Sequence, residues 1–496
     1  MSANEALLAA SAIELRRQIG SREISPVELL EACIERIARI NPAVNAVTAT
    51  CYERARAEAR AAEQAVLRGE PLGLLHGLPT GIKDLEETAG LLTTFGSPLY
   101  RDFVPETDNS MVARVRAAGA IIVGKTNVPE FGAGANTRNV VWGATGNPFN
   151  PLLNAGGSSG GSAAALACNM LPVCTGSDTG GSLRIPAAIC GVVGFRPSPG
   201  LVPAERRMLG WTPISVVGPM GRSVADTCLL MAAQAAMDDR DPLSYPVDAR
   251  AFAVPEMRDP GTLRVAYTED FGVCLVDQPI RQVFRDRIAA MRHLFRSCDE
   301  VTFDFAQADR CFDVIRVANY VATYRDKYEQ NPDSLGPNVR TNYEMGARLS
   351  LADMVWAHLE QTRLFRRFQK TFRDYDLVLA PTTPVSPFPW TQPYLAEMDG
   401  KPMKNYYHWL GLTYVITLTT NPAVSLPCGT DHKGMPFGMQ VIGPFRGDRA
   451  LLGAAHAMEQ AFSANPALRR PLPDLGNLRN PVPELKSIVT HPPTLR

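Results

Sequence analysis

Apolar residues along the first seventy positions recur at helical spacing. In "SPVELLEACIERIARI" (25–40), Leu29, Leu30, Cys33, Ile34, Ile37 and Ile40 fall on one face. Ser25 as N-cap, Pro26 at the first helical position and Glu28 closing a capping box predict where that helix starts. A second helix, rich in Ala and Arg, is predicted over about 51–68, with Gly69 ending it. Beyond residue 70 the pattern changes. The short apolar runs 119–124, 191–195, 263–268, 376–381, 423–429 and 437–443 read as buried strands. Amphipathic stretches such as "NSMVARVRAAG" and "DRALLGAAHAMEQAF" lie among them and read as helices. The alternation predicts an α/β fold, a large mixed β-sheet flanked by α-helices. The longest uncharged run, Trp409 to Thr430, is broken by Asn421-Pro422. It is a poor membrane span and is expected to form a pair of buried strands. The Pro- and Asp-rich stretch 237–261 reads as a loop or linker, and the Pro-rich stretch 471–496 as an irregular arm.

Composition narrows the class. The chain has 496 residues, with 50 basic and 50 acidic side chains and a formal charge of zero. That balance argues against nucleic acid or an anionic membrane as a partner. Ten scattered cysteines without a C-x-x-C read as reduced thiols, not a disulfide framework. The first twenty residues carry Glu5 and Glu14 and lack a basic-then-apolar order, so no signal peptide is expected and the location expected is cytoplasmic.

Three motif matches fail on physical grounds. "GAIIVGKT" (119–126) fits a P-loop by letter, but Ala-Ile-Ile-Val prefers a buried strand to a phosphate-cradling curl. Asp178-Thr179-Gly180 resembles the aspartic protease triplet, but such enzymes need two carboxylates and only one triplet is present. Gly157-Ser158-Ser159-Gly160-Gly161 satisfies G-x-S-x-G, yet a loop and not a strand precedes it. The seven histidines are isolated, so no metal site is expected.

Two glycine-serine clusters carry the remaining chemistry. "GGSSGGS" (156–162) runs directly into the helix formers Ala163–Ala167, which places it at a helix N-terminus. In "GSDTGGSLR" (176–184), Gly180 and Gly181 let backbone amides approach a ligand, and adjacent amides aimed at one point form an oxyanion hole. Ser182 beside them is placed to attack a carbonyl. No histidine is near in sequence to act as its base. A lysine serves if burial lowers its pKa from about 10.4 toward neutrality. Lys83, in the apolar, glycine-flanked "LHGLPTGIKDLEETAG", is one candidate, although most lysines are solvated and the residues alone leave the choice open.

"GIKD", "GKTNVPEFG", "GGSSGGSAAALA", "GSDTGGSLRIPAAICGVVGFRPS" and "GPMGRSVAD", in that order, resemble the amidase signature family. "DLVLAPTTP" and "NPAVSLPCG…GMPFGMQVIGP" extend the resemblance over about residues 10 to 465. It implies a Ser-Ser-Lys triad of Lys83, Ser158 and Ser182, with Ser182 as nucleophile and Ser158 as a bridging serine on a cis peptide. It implies an oxyanion hole from Thr179, Gly180, Gly181 and Ser182, and a substrate pocket touched by Gly132 and Ser158. Asp178 and Arg184 would brace the loop, with Ser159 and Ser177 in the same network. The implied activity is hydrolysis of a small-molecule amide through an acyl-enzyme, with no metal or other cofactor. The implied organisation is one domain over 1–496: helical region 1–70, catalytic core 71–235, the rest of the sheet and pocket 236–470, and arm 471–496. The N-terminal helices offer a surface for a homodimer. The family also contains the glutaminase component of tRNA-dependent amidotransferases, which passes ammonia from glutamine to a partner. The stretch "EMGARLSLADMVWAHLEQTRLFRR" (344–367) lacks the tyrosine-rich segment of those components, and Trp356 with its Leu-rich face suggests a stand-alone amidase with an apolar channel. Intact triad motifs weigh against a non-catalytic binding protein. Trp211, Trp390, Tyr406, Tyr407 and Trp409 are candidates to line an aryl pocket, although each taken singly is expected to be packing.

Overall fold

The apolar runs gather in one mixed sheet. The structure, a computed structural model, describes residues 3–494. Eleven strands build the sheet: β1 (Val47–Thr50), β2 (Pro79–Lys83), β3 (Ile121–Thr126), β4 (Val173–Asp178), β5 (Val193–Arg196), β6 (Val216–Gly221), β7 (Arg264–Tyr267), β8 (Ser297–Glu300), β9 (Leu377–Pro381), β10 (Ala423–Thr430) and β11 (Pro436–Ile442). Their spatial order is β1-β3-β2-β4-β6-β5-β10-β11-β9-β7-β8. β2 runs parallel to both β3 and β4, and β7 runs parallel to both β8 and β9; the other pairings are antiparallel. Every residue of β2, β3, β5, β6, β9 and β11 is buried, whereas the edge strands β1 and β8 are partly exposed. Both faces of the sheet's centre are therefore covered, which explains why β3, β5, β9 and β11 read as apolar runs without alternation.

The helices Pro26–Val44, Tyr52–Arg68, Ser110–Ala117 and Asp448–Ser463 form where the spacing predicts them. One detail differs. Ser25 caps its helix by accepting from the Val27 amide, and its own hydroxyl donates to Glu63 at 2.5 Å, so the capping box with Glu28 does not close. The run Trp409–Thr430 also differs. Its second half is β10, but its first half is a short turn at His408–Leu410 and a helix, Gly411–Leu418, buried at every residue. A helix buried all round is a core helix, and a short uncharged run of this kind does not distinguish it from a strand. Residues 237–261 and 471–494 are largely irregular, as expected. Among the described residues no helix is long and apolar enough to cross a membrane, and all ten cysteines are free.

Candidate active site

β2 and β4 lie side by side, with Thr80 opposite Val173 and Gly81 opposite Cys174, so their carboxyl ends reach the same edge of the sheet. Lys83 is the last residue of β2, and its backbone amide donates to Thr175 Oγ1 on β4 at 2.9 Å. β4 ends in Ser177 and Asp178, the chain turns through Thr179–Leu183, and the helix Arg184–Cys190 follows. A second helix, Gly160–Ala167, starts beside them with Ser159 at its N-cap position. Two loops from different parts of the chain thus meet above parallel strand ends, the usual place for a site in such sheets.

The Lys83 side chain is fully buried. Its Nζ lies 2.8 Å from Ser158 Oγ, 2.7 Å from Ser159 Oγ and 2.9 Å from Ser177 Oγ. Burial pushes its pKa down to about 7, although the charges of Glu86 and Asp178 favour the protonated form. The amine is therefore poised near neutrality with three hydroxyls around it. The Gly157–Ser158 peptide is cis, as the family resemblance implies. The Ser159 amide donates to the Ser182 carbonyl at 3.3 Å and joins the two loops.

Asp178 is the brace of the Ser182 turn. Its carboxylate accepts from the Gly181 and Leu183 amides at 2.9 and 3.2 Å. It also accepts from Arg184 Nε and Nη2 at 3.0 and 2.9 Å and from Arg196 Nη1 at 3.0 Å. Burial alone would raise this carboxyl, but the two guanidiniums hold it well below the usual carboxylate range. Arg184 is anchored in turn by the Thr413 carbonyl, Thr417 Oγ1 and Gln440 Oε1. Gly181 sits at φ +128°, and a Cβ there would fall 2.3 Å from Thr413 Oγ1, so the turn requires glycine. The Gly181 N–H, one of the four amides expected for the oxyanion hole, is held by the Asp178 carboxylate beneath the turn.

A cavity of about 280 Å³ opens in front of Ser182. Ser158, Ser177, Thr179, Gly180, Gly132 and Ser182 border it, whereas Lys83, Ser159, Asp178, Gly181 and Arg184 do not. Gly132 (φ +72°) lets its backbone pass close to Ser158, where a Cβ would stand 3.3 Å from Ser158 Oγ. An outer chamber of about 590 Å³ adjoins, sharing Leu85, Phe131 and Tyr324 as part of its wall. Of the five aromatic candidates, Tyr406 and Tyr407 line the inner cavity. Trp390 and Trp409 are packed away in the core, and Trp211 is 79% exposed. Trp356 stacks against Arg310, with the guanidinium 4.1 Å from its ring centre, and borders neither chamber. The apolar channel comes instead from Phe131, Phe312, Tyr320 and Tyr324. Among the described residues no cluster of His, Cys, Asp and Glu is suited to hold a metal.

A family model described as Amidase matches residues 28–452. The chain belongs to the amidase family. A glutamyl-tRNA(Gln) amidotransferase component from Acaryochloris marina (strain MBIC 11017), the one designated A, is 32% identical over 480 residues, spanning 91% of this chain and 98% of that one. Among solved structures, a bacterial aryl acylamidase of the amidase signature enzymes superposes with a TM-score of 0.85 at 29% identity, covering 92% of this chain and 96% of that one. A 6-aminohexanoate cyclic dimer hydrolase gives a TM-score of 0.81 at 27% identity, covering 95% of this chain and 99% of that one. The architecture is that of amidase signature enzymes.

In this amidase-family chain the sequence motifs do not reveal several groups. Arg196, which falls within "GVVGFRPS", is a second cation on Asp178. Thr413, Thr417 and Gln440 lie more than 200 positions from Arg184 and carry no local signal. The cavity helix Ala308–Gln330 supplies Phe312, Arg316, Asn319, Tyr320, Thr323 and Tyr324. Its helical spacing is visible in the sequence, but which face meets the site is set by tertiary packing.

Proposed function

We propose that the protein is a stand-alone amidase that hydrolyses a small-molecule carboxylic amide through a Ser182 acyl-enzyme. The observation that carries this is the buried Lys83 amine, with a pKa near 7, 2.8 Å from Ser158. A neutral amine has two N–H donors and one lone pair. Ser159 Oγ faces the Ser177 carbonyl at 3.4 Å, so it donates there and accepts from Lys83. Ser177 Oγ accepts the second N–H. The lone pair then faces Ser158, which gives up its proton to Lys83 and takes that of Ser182. Ser182 Oγ attacks the amide carbon, and the oxyanion is held by the amides of Thr179, Gly180 and Ser182. On collapse, the proton returns through Ser158 to the leaving nitrogen as the C–N bond breaks. Water, deprotonated by the same relay, releases the acid and restores Ser182. The aromatic wall of the cavity favours substrates with an aryl or extended apolar part.

Hydrolysis of 4-nitroacetanilide or benzamide by the purified chain alone, abolished in Ser182→Ala, is the expected result. Unchanged hydrolysis in Ser182→Ala would refute the mechanism. A second reading, the glutaminase component of a tRNA-dependent amidotransferase, is supported by the amidotransferase relative matching over 98% of its length. Glutamine hydrolysis that requires co-purified partner proteins and ATP, with no activity on aryl amides, would favour it over the first.

A further inference from the structure

The helix Ala308–Gln330 turns Phe312, Arg316, Asn319 and Tyr320 toward the cavity of Ser182, at the three- and four-residue spacing of one helix face. Arg316 is only 7% exposed. Its guanidinium donates to Asn342 Oδ1, to Tyr320 OH at 2.9 Å and to Tyr406 OH at 2.5 Å. It lies 4.4 Å from the ring centre of Tyr407 and 4.8 Å from that of Tyr320. Every one of these partners is neutral. Among the described residues no carboxylate lies within ion-pair distance of it. The nearby Asp313 is occupied by Tyr407 OH at 2.5 Å and His408 Nε2 at 2.9 Å. A buried cation without a counter-charge is costly, and stacking on tyrosine rings offsets only part of that cost.

Two further observations point the same way. The charged residues bordering the inner cavity are Arg206, Arg207 and Arg316, whereas the adjoining outer chamber carries Glu86, Glu87, Glu205 and Asp326 beside Arg206, Arg207 and Lys327. Arg206 pairs with Glu87 and Glu205, and Arg207 with Asp241, so Arg316 is the inner-cavity cation left without a carboxylate among the described residues. One turn along the helix from Arg316, Asn319 Nδ2 is buried and has no hydrogen-bond partner. Buried donors are nearly always satisfied, so this one awaits an acceptor. A carboxylate takes both a guanidinium and an amide donor.

We infer that Arg316, with Asn319, is a specificity-determining pair that selects amide substrates carrying a carboxylate. The inference rests on the reading of Ser182 as nucleophile. Two matched substrate pairs test it: glutaryl-4-nitroanilide against hexanoyl-4-nitroanilide, and 4-acetamidobenzoate against 4-methylacetanilide. The first places the carboxylate on the acyl side, the second on the leaving side. The wild-type chain is expected to prefer the carboxylated member of at least one pair by about tenfold or more in kcat/KM, as for a charge-assisted hydrogen bond. Arg316→Met is expected to reduce that ratio at least about tenfold, with Arg316→Lys between the two. No preference in either pair, or an unchanged ratio in Arg316→Met, overturns the inference. A merely structural role lowers both members together and leaves the ratio alone. If Arg316→Met fails to fold, wild-type inhibition decides: glutarate at least about tenfold tighter than glutaramide supports the inference, and equal inhibition refutes it. Ser182→Ala separates the two layers, because hydrolysis surviving there undoes the underlying reading whatever Arg316 does.

Discussion

Lys83 and Lys125 sit on adjacent parallel strands, both fully buried, and teach different lessons. Ile82 pairs with Lys125 and Lys83 with Thr126, so the two side chains leave opposite faces of the sheet. Burial pushes the first amine down to about 7 and the second to about 8. Desolvation is thus similar. The surroundings are not. Lys83 faces three serine hydroxyls, two of which, Ser158 and Ser177, line the inner cavity. Lys125 donates to the Glu86 carbonyl and, at 2.7 Å, to Thr88 Oγ1, with the charges of Asp84 and Glu86 nearby. Neither lysine itself borders a chamber; the difference is that Ser158 and Ser177, beside Lys83, do. A depressed pKa alone does not make a base; a transferable proton beside open space does. Lys125 is a strut for the chain that follows β2.

The largest expected effect separates the pair directly. Lys83→Ala is expected to lower kcat by about 10³–10⁴-fold, as for loss of a triad base. Its folding should persist, measured by thermal melting. An active Lys83→Ala would break the comparison. Lys125→Ala should do the opposite: a loss of about 3 kcal/mol in denaturant unfolding, because buried acids lose their cation. Its kcat per folded molecule should stay within about tenfold of wild type.

pH sharpens the contrast. The neutral form of Lys83 is required, so kcat/KM should rise through about pH 7 and fall about tenfold per unit below it. Lys125→Met should keep that limb. Stability follows the same group with a definite sign. Between about 7 and 10.5 the unfolded chain holds a proton that folded Lys83 lacks, so folding is favoured increasingly as pH rises across that window. Below it the cost of the buried amine is fully present. Lys83→Met should reduce this slope in pH-dependent unfolding, leaving the share that Lys125 adds between about 8 and 10.5. The smallest effect expected is from Thr88→Val, about 1 kcal/mol of stability with the kinetic limb unmoved.

Much of this is legible in residue types whose geometry is demanding. Gly180, Gly181 and the serines around 158–162 mark a tight turn and a helix N-terminus, because few other residues fit there. The fully buried strands are visible as apolar runs. β2 is not, since "PTGIK" holds Pro, Gly and Lys and has no strand propensity; neighbours β3 and β4 impose its conformation. Lys83 therefore looks like any solvated lysine until the sheet buries it. Arg316 is opaque for a related reason, as Asn342 and Tyr406 reach it from 26 and 90 positions away. The helix Gly411–Leu418 escapes sequence reading because its uncharged sequence, rich in β-branched residues, suits a strand equally well.

The Arg184 anchor has a consequence for how the molecule comes into being. A ribosome delivers Ser182 long before it delivers Gln440, 256 positions after Arg184. Until then the guanidinium beneath the Ser182 turn lacks its full set of anchors, Thr413, Thr417 and Gln440, and the turn lacks its complete floor. Contacts this distant in sequence form late in folding. The nascent chain thus carries Ser182 on an unfinished turn until the last strands of the sheet are made.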